Sequence, residues 1–232
     1  MLTLEDLVIA QGDFRLGADF SVPRGARVAV VGPSGAGKST LLGAIAGYLR
    51  TSGRVLWQGE DLGARAPAQR PVAMVFQDNN LFPHMTAAQN VGLGITPSLR
   101  LKDEDAARVT SALARVGLAG MGARKPAALS GGQQSRVAIA RLLVQVKPLI
   151  LLDEPFAALG PALRHEMLDL VGDVAADLGA TVLMVTHTIG DAERFAEQLV
   201  WVENGVAQAP AATRALLADP PQGLRDYIGA ST

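Results

Sequence analysis

Gly32, Gly37, Lys38 and Ser39 stand at the fixed positions of a G-x-x-x-x-G-K-S/T spacing in Gly32-Pro33-Ser34-Gly35-Ala36-Gly37-Lys38-Ser39-Thr40. The chemistry open to this stretch is the binding of a phosphate chain. Glycines let the backbone curl closely around the anion and aim its N–H groups inward. A helix that starts at Lys38 would add its positive end. Lys38 supplies a point charge for the β- and γ-phosphates, and the Ser39 hydroxyl is a ligand for Mg²⁺. Three more places carry chemistry. Asp153 and Glu154 end an apolar run, where Asp153 can hold Mg²⁺ through its water shell and Glu154 can orient and deprotonate a water. His187 ends another such run. Ser130-Gly131-Gly132-Gln133 opens a helical pattern with a good N-cap and two glycines, a second anion site on the chain.

These residues need elements to hold them. Arg27–Val31 is short, apolar and rich in β-branched residues, a buried strand that delivers the loop. After the loop, Leu41, Leu42, Ile45, Ala46 and Leu49 recur at helical spacing. Residues 149–154 and 181–186 read as further buried strands, and their ends are where open α/β sheets place ligand groups. A strand over 71–76 ends at Gln77. Before the loop, residues 2–9, 14–16 and 20–22 suggest a small antiparallel sheet, and 54–57 reads as another strand in which Trp57 is a packing residue. From about 80 to 145 the strand signal is absent and residues 103–118 are helical, which predicts a helical subdomain inserted into one domain spanning 1–232. Pro161 opens a long helix. Asn204-Gly205 marks a hairpin turn, and residues 208–232 read as a peripheral tail with a short helix near Arg214–Ala218.

Composition narrows the functions. A net charge of −1 over 232 residues lacks the basic footprint of a nucleic-acid binder. There is no cysteine, which removes disulfides and thiolate-bound zinc. No apolar run approaches the ~20 residues of a membrane span. The acidic start Met1–Asp6 is unlike a signal peptide, so the expected setting is the cytosol, with any membrane reached through a partner.

Taken in order, these pieces resemble the ATP-binding subunit of an ABC transporter, over nearly the whole chain. Gly32–Thr40 matches Walker A, Gln77 the Q-loop, Leu129–Gln133 the LSGGQ signature, Leu149–Glu154 Walker B with its following Glu, and His187 the switch His. The resemblance implies a P-loop NTPase fold with a mostly parallel core sheet, an N-terminal antiparallel β-subdomain and the inserted helical subdomain. It implies a head-to-tail homodimer holding two ATP molecules, each on the Walker A of one subunit and under the signature helix of the other. Lys38 would bind phosphates, Ser39, Gln77 and Asp153 would surround Mg²⁺, Glu154 would be the general base and His187 a γ-phosphate sensor. Catalysis would be mostly positioning and charge stabilisation. Integral membrane permease subunits, and indirectly a solute-binding protein, would be the partners, at the cytoplasmic face of a bacterial inner membrane.

Two positions depart from that pattern. Gly160 stands where the loop after Walker B usually carries Asp, and Gln11 where an aromatic usually stacks on adenine, with Phe14 the only close aromatic. The stretches 77–82 and 88–94 look like the thiamine importer subgroup, as does a length without the added C-terminal regulatory domain of sugar importers. Within that reading Leu81, Phe82 and Met85 are candidates for docking the permease or, equally, for internal packing. Importers of iron, molybdate or sulfate type are the alternatives within the class. A soluble ABC ATPase acting on nucleic acid or ribosomes lacks support, because there is no coiled coil, second cassette or basic patch. A P-loop kinase or switch GTPase is opposed by the signature peptide, the Asp153-Glu154 pair and the absence of N-K-x-D.

Overall fold

The computed structural model describes residues 1–230, with nothing said of the Ala230 side chain. The chain runs β1 (Leu2–Gln11), β2 (Phe14–Val22), β3 (Arg27–Val31), α1 (Lys38–Ala46), β4 (Ser52–Trp57), β5 (Glu60–Asp61) and β6 (Val72–Val75). Three helices follow, α2 (Ala87–Gly92), α3 (Asp103–Arg115) and α4 (Gly131–Gln145), with no strand among the described residues between β6 and β7 (Leu149–Asp153). Then come α5 (Pro161–Leu178), β8 (Thr181–Val185), α6 (Ile189–Phe195), β9 (Gln198–Glu203), β10 (Val206–Ala207), β11 (Ala211–Ala212), α7 (Thr213–Ala218) and α8 (Gln222–Ala230).

The strands order as β5-β4-β1-β2-β10-β9-β3-β8-β7-β6. Strands β9, β3, β8, β7 and β6 pair in parallel. That core is apolar on both faces, as parallel sheets covered by helices must be. Side chains alternate between two clusters with the pleat. Ala29, Val31, Ile150, Leu152, Val182 and Met184 face the side of α4 and α5. Val28, Val30, Leu149, Leu151, Leu183 and Val185 face α1 and the antiparallel strands. Trp57 is buried in that second cluster.

Strands β1 and β2 pair antiparallel, as their spacing predicts, and β4 and β5 extend that sheet by further antiparallel pairing. They are not a separate small sheet. β10 pairs in parallel with β2 and antiparallel with β9, so one continuous path runs from edge to edge. The β9–β10 turn puts Asn204 at φ 50° and Gly205 at φ 74°, both in the left-handed region that an Asn-Gly hairpin demands. The C-terminal segment also departs from expectation. The short helix expected near Arg214–Ala218 is present as α7, but the segment is not merely peripheral, because a second helix, α8, docks with Leu224 fully buried and the Tyr227 ring 5.5 Å from Trp201.

The end of α1 rests on Arg70, which is only 5% exposed. Its guanidinium Nη1 donates to the Ala44 and Ile45 carbonyls at 3.1 and 2.8 Å, satisfying orphan acceptors of the last turn. Gly47 follows at φ 89°, and a Cβ there would fall 2.5 Å from Arg70 Nε. Gly47→Ala is therefore expected to destabilise the fold by about 2–3 kcal/mol, the left-handed strain plus displacement of a buried side chain, read as a lowered denaturant midpoint at unchanged m-value. An unchanged midpoint would show that Arg70 moves aside freely.

Candidate functional site

The glycine loop leaves β3 and enters α1 through Gly37, at φ 99°. Position 37 must be glycine on two counts, since a Cβ would also meet the Phe14 ring at 2.5 Å. A cleft of about 380 Å³ opens at the loop, lined by Gln11, Phe14, Ser34, Gly35, Gly37, Lys38, Ser39, Thr40, Glu154 and His187. The structure thus collects residues from β1, β2, the loop and the ends of β7 and β8 at the carboxyl edge of the parallel sheet, where such sheets bind ligands.

Inside the cleft the polar groups are paired. Lys38 is 5% exposed, and its Nζ donates to the carbonyls of Gly32 and Pro33, each at 2.8 Å. Burial lowers the Lys38 pKa, and the charges of Glu154 and Asp153 oppose that shift. Ser39 Oγ donates to Asp153 Oδ1 at 2.8 Å. Burial raises the Asp153 pKa, the Ser39 hydrogen bond lowers it and the neighbouring Glu154 charge raises it again. Glu154 Oε1 lies 2.5 Å from His187 Nε2. Glu154 also sits at φ 46°, a left-handed conformation for a non-glycine residue, and its N–H donates to the Val185 carbonyl at 3.2 Å. Strain of this kind, of order 1–3 kcal/mol, persists where surrounding structure over-determines it. Here it turns the carboxylate off the end of β7 toward His187.

Of the sequence-predicted residues, Gly32, Pro33, Ala36 and Asp153 are not part of the cleft wall itself, Asp153 reaching it through the Ser39 hydroxyl, and two further groups lie away from it. Gln77 stands on an exposed turn two residues beyond β6, on the same edge of the sheet as Asp153. Ser130, Gly131, Gly132 and Gln133 form the start of α4. Ser130 Oγ accepts from Gln133 N at 3.3 Å, while the Gln133 side chain accepts from Ser130 N at 3.0 Å, a complete capping box. Gly132 packs against Leu163 of α5. Gly160 is the N-cap residue of α5, and space for a Cβ is open there.

A polar set behind the cleft has no local signature in the sequence. Arg164 on α5 donates to the Leu159 carbonyl at 3.0 Å and to Thr188 Oγ1 at 3.2 Å, and lies 3.8 Å from the buried Asp191 carboxylate. Thr186 Oγ1 donates to Asp191 Oδ2 at 3.3 Å. Arg164 thereby ties the loop after Glu154 to the loop carrying His187. Asp191 in the first turn of α6 was readable as a helix-start acid, but nothing local pairs it with Arg164 across 27 residues.

Segment 79–86 is held by Asn90, which is 0% exposed. Its side chain bonds the N–H and carbonyl of Phe82 and the carbonyls of Met85 and Thr86. Leu81 packs against the core, whereas Phe82 is exposed, so of these candidates Phe82 presents the free apolar surface.

Comparison with known proteins agrees with this geometry. Residues 16–157, more than half of the chain, match the ABC transporter family. A protein of Cereibacter sphaeroides named "Thiamine import ATP-binding protein ThiQ" is 60% identical over 230 residues, covering 99% of this chain and 100% of that protein. Proteins of the same name from a Ruegeria species and from Brucella suis are 57% and 52% identical, each over 231 residues, covering 99% and 98% of this chain and 100% and 95% of theirs. Among solved structures, the ATP-binding cassette MJ0796, in a dimeric post-hydrolysis state bound to ADP and Pi, superposes with a TM-score of 0.79 at 30% identity, covering 92% of this chain and 99% of that one. A nucleotide-free ATP-binding cassette from an ABC transporter gives a TM-score of 0.85 at 28% identity, with 95% and 96% covered. The likeness spans both the glycine loop and the strands that end at Glu154 and His187, and the chain belongs to the ABC transporter family as one of its nucleotide-binding ATPase cassettes.

Proposed function

We propose that this protein is the ATP-hydrolysing subunit of a bacterial importer for thiamine or its phosphates. The observation that carries the hydrolytic part is the convergence of Lys38, the Ser39–Asp153 pair and the Glu154–His187 pair on one cleft. Lys38 and the loop amides bind the β- and γ-phosphates. Glu154 orients the attacking water and takes its proton, and His187 holds the Glu154 carboxylate and meets the γ-phosphate. Phe14, at the cleft wall, is the aromatic placed for adenine where Gln11 provides none.

Mg²⁺ fits the donor set. Ser39 and Asp153 offer hard oxygens 2.8 Å apart beside the phosphate loop. No group of three or more His, Cys, Asp or Glu among the described residues forms a metal cage, which suits an ion that keeps waters and shares phosphate oxygens. The ion would be held by Ser39 and Asp153, with Gln77 approaching from its turn, and would neutralise charge on the β- and γ-phosphates. The capped start of α4 at Ser130–Gln133 serves the nucleotide of a second copy in a head-to-tail dimer, in keeping with the dimeric state of the ADP- and Pi-bound cassette it resembles.

No described helix is long and apolar enough to cross a membrane. In this reading, which the names of the relatives support, attachment is peripheral, through permease subunits at the cytoplasmic face of the inner membrane. The inserted helical subdomain, residues 80–145, supplies the docking surface with exposed Phe82 at its edge. Thiamine as the cargo is supported by the names of relatives 48–60% identical over nearly the whole chain. Uptake of labelled thiamine by cells carrying or lacking this chain tests the reading. Loss of uptake on deletion and its return with the wild-type chain support it. Undiminished thiamine uptake with loss of iron, molybdate or sulfate uptake moves the cargo to an alternative.

A further inference from the structure

The imidazole of His187 is poorly fixed by packing, with 43% of the side chain exposed. Its placement against Glu154 depends on where the main chain puts it. The β8 ladder ends at Val185, and Thr186 N still reaches the Val30 carbonyl at 3.3 Å. Beyond that point the His187 carbonyl accepts a hydrogen bond from Tyr227 Oη on α8, at 2.9 Å and 40 residues along the chain. The helix that delivers this hydroxyl is itself anchored. Leu224 is fully buried one turn earlier, and the Tyr227 ring stacks obliquely on Trp201 of β9, 5.5 Å between centroids. β9 is paired directly with β3, the strand that carries the phosphate loop.

We propose that Tyr227 is a positioning residue for hydrolysis, whose hydroxyl pins the His187 main chain and so sets the imidazole against Glu154. The inference rests on the ATPase reading above. It converts α8 from a peripheral tail into the strut of the switch loop, with Arg164 holding Thr188, the next residue, from the α5 side. Burial and the Glu154 charge push the Tyr227 hydroxyl pKa up, so it remains a donor throughout the physiological range.

Tyr227→Phe removes the hydroxyl and keeps the ring on Trp201. A net hydrogen bond of this kind is worth a factor of about 3 to 10, so kcat for ATP is expected to fall by about that much at unchanged KM. Tryptophan emission stays where it is, and the melting midpoint falls by no more than the few degrees that one lost hydrogen bond costs. The chain has three histidines, so the His187 imidazole resonance can be assigned with a His187→Gln variant and followed in the nucleotide-free protein. It should shift in Tyr227→Phe. Unchanged kcat with an unmoved His187 resonance overturns the proposal. So does a fall in kcat that comes with altered tryptophan emission and a melting midpoint lowered well beyond those few degrees, which makes Tyr227 a packing residue. If the wild type hydrolyses no ATP, the ATPase reading fails instead, and the resonance shift alone decides whether Tyr227 sets His187.

Discussion

Glu154→Gln lowers ATP turnover by about 10²- to 10⁴-fold while leaving the affinity for Mg-ATP close to wild type; that is the expected result of steady-state hydrolysis and nucleotide-binding assays on the two proteins. Gln is isosteric with Glu and can still face His187 Nε2, so the loop that Glu154 forms at φ 46° keeps its shape. What is lost is the basic oxygen that, in the proposed mechanism, takes the proton from water. The loss falls on kcat, because a general base acts in the transition state and contributes little to ground-state binding. A variant that turns over at the wild-type rate would remove Glu154 from the base role. The Asp153 carboxylate does not replace it. Asp153 is already the acceptor of the Ser39 hydroxyl.

Lys38→Ala acts at the earlier step, binding. Lys38 is the buried cation of the cleft, and its ammonium makes two 2.8 Å bonds to the loop's own carbonyls. A charge-assisted hydrogen bond is worth about 1.5–3 kcal/mol, so ATP affinity is expected to fall about 10- to 150-fold in an equilibrium titration. The Gly32 and Pro33 carbonyls also lose their donor, which loosens the loop and adds to the loss. Lys38→Arg does not rescue it. A planar guanidinium does not match a point charge held between two carbonyls in a site that leaves 5% of the residue exposed. Affinity within twofold of wild type in Lys38→Ala would mean that the loop amides and the α1 N-terminus carry the phosphates unaided.

Much of this site is written locally. The glycine spacing of 32–39, the apolar runs ending at Asp153 and His187, the Ser130 cap and the Asn204-Gly205 turn each depend on residues within a few positions of one another. The structure places all of them as their local chemistry dictates. Some local signals went unused. Thr86 and Gln89 form a capping box that starts α2, the same pattern that Ser130 and Gln133 make at α4. Other features have no local signature. The pairing of β10 with β2, the Arg164–Asp191 pair and the Tyr227 contact join residues between 27 and 189 positions apart, and each partner alone reads as an ordinary surface or helix residue. The docking of α8 is of the same kind: Leu224, Tyr227 and Ile228 recur at helical spacing, but three apolar positions in a nine-residue segment do not say which part of the chain they pack against.

In the proposed cycle two copies of this chain close on ATP, so that the loop of one and the capped α4 start of the other share each nucleotide. Sedimentation of Glu154→Gln with and without Mg-ATP tests it most directly, since that variant binds ATP and cannot discharge it. The account predicts a monomer without nucleotide and a dimer with Mg-ATP, reverting to monomer when Ser130→Arg places a bulky cation at the α4 cap. A Glu154→Gln protein that is saturated with ATP yet sediments as a monomer at every concentration would contradict the account.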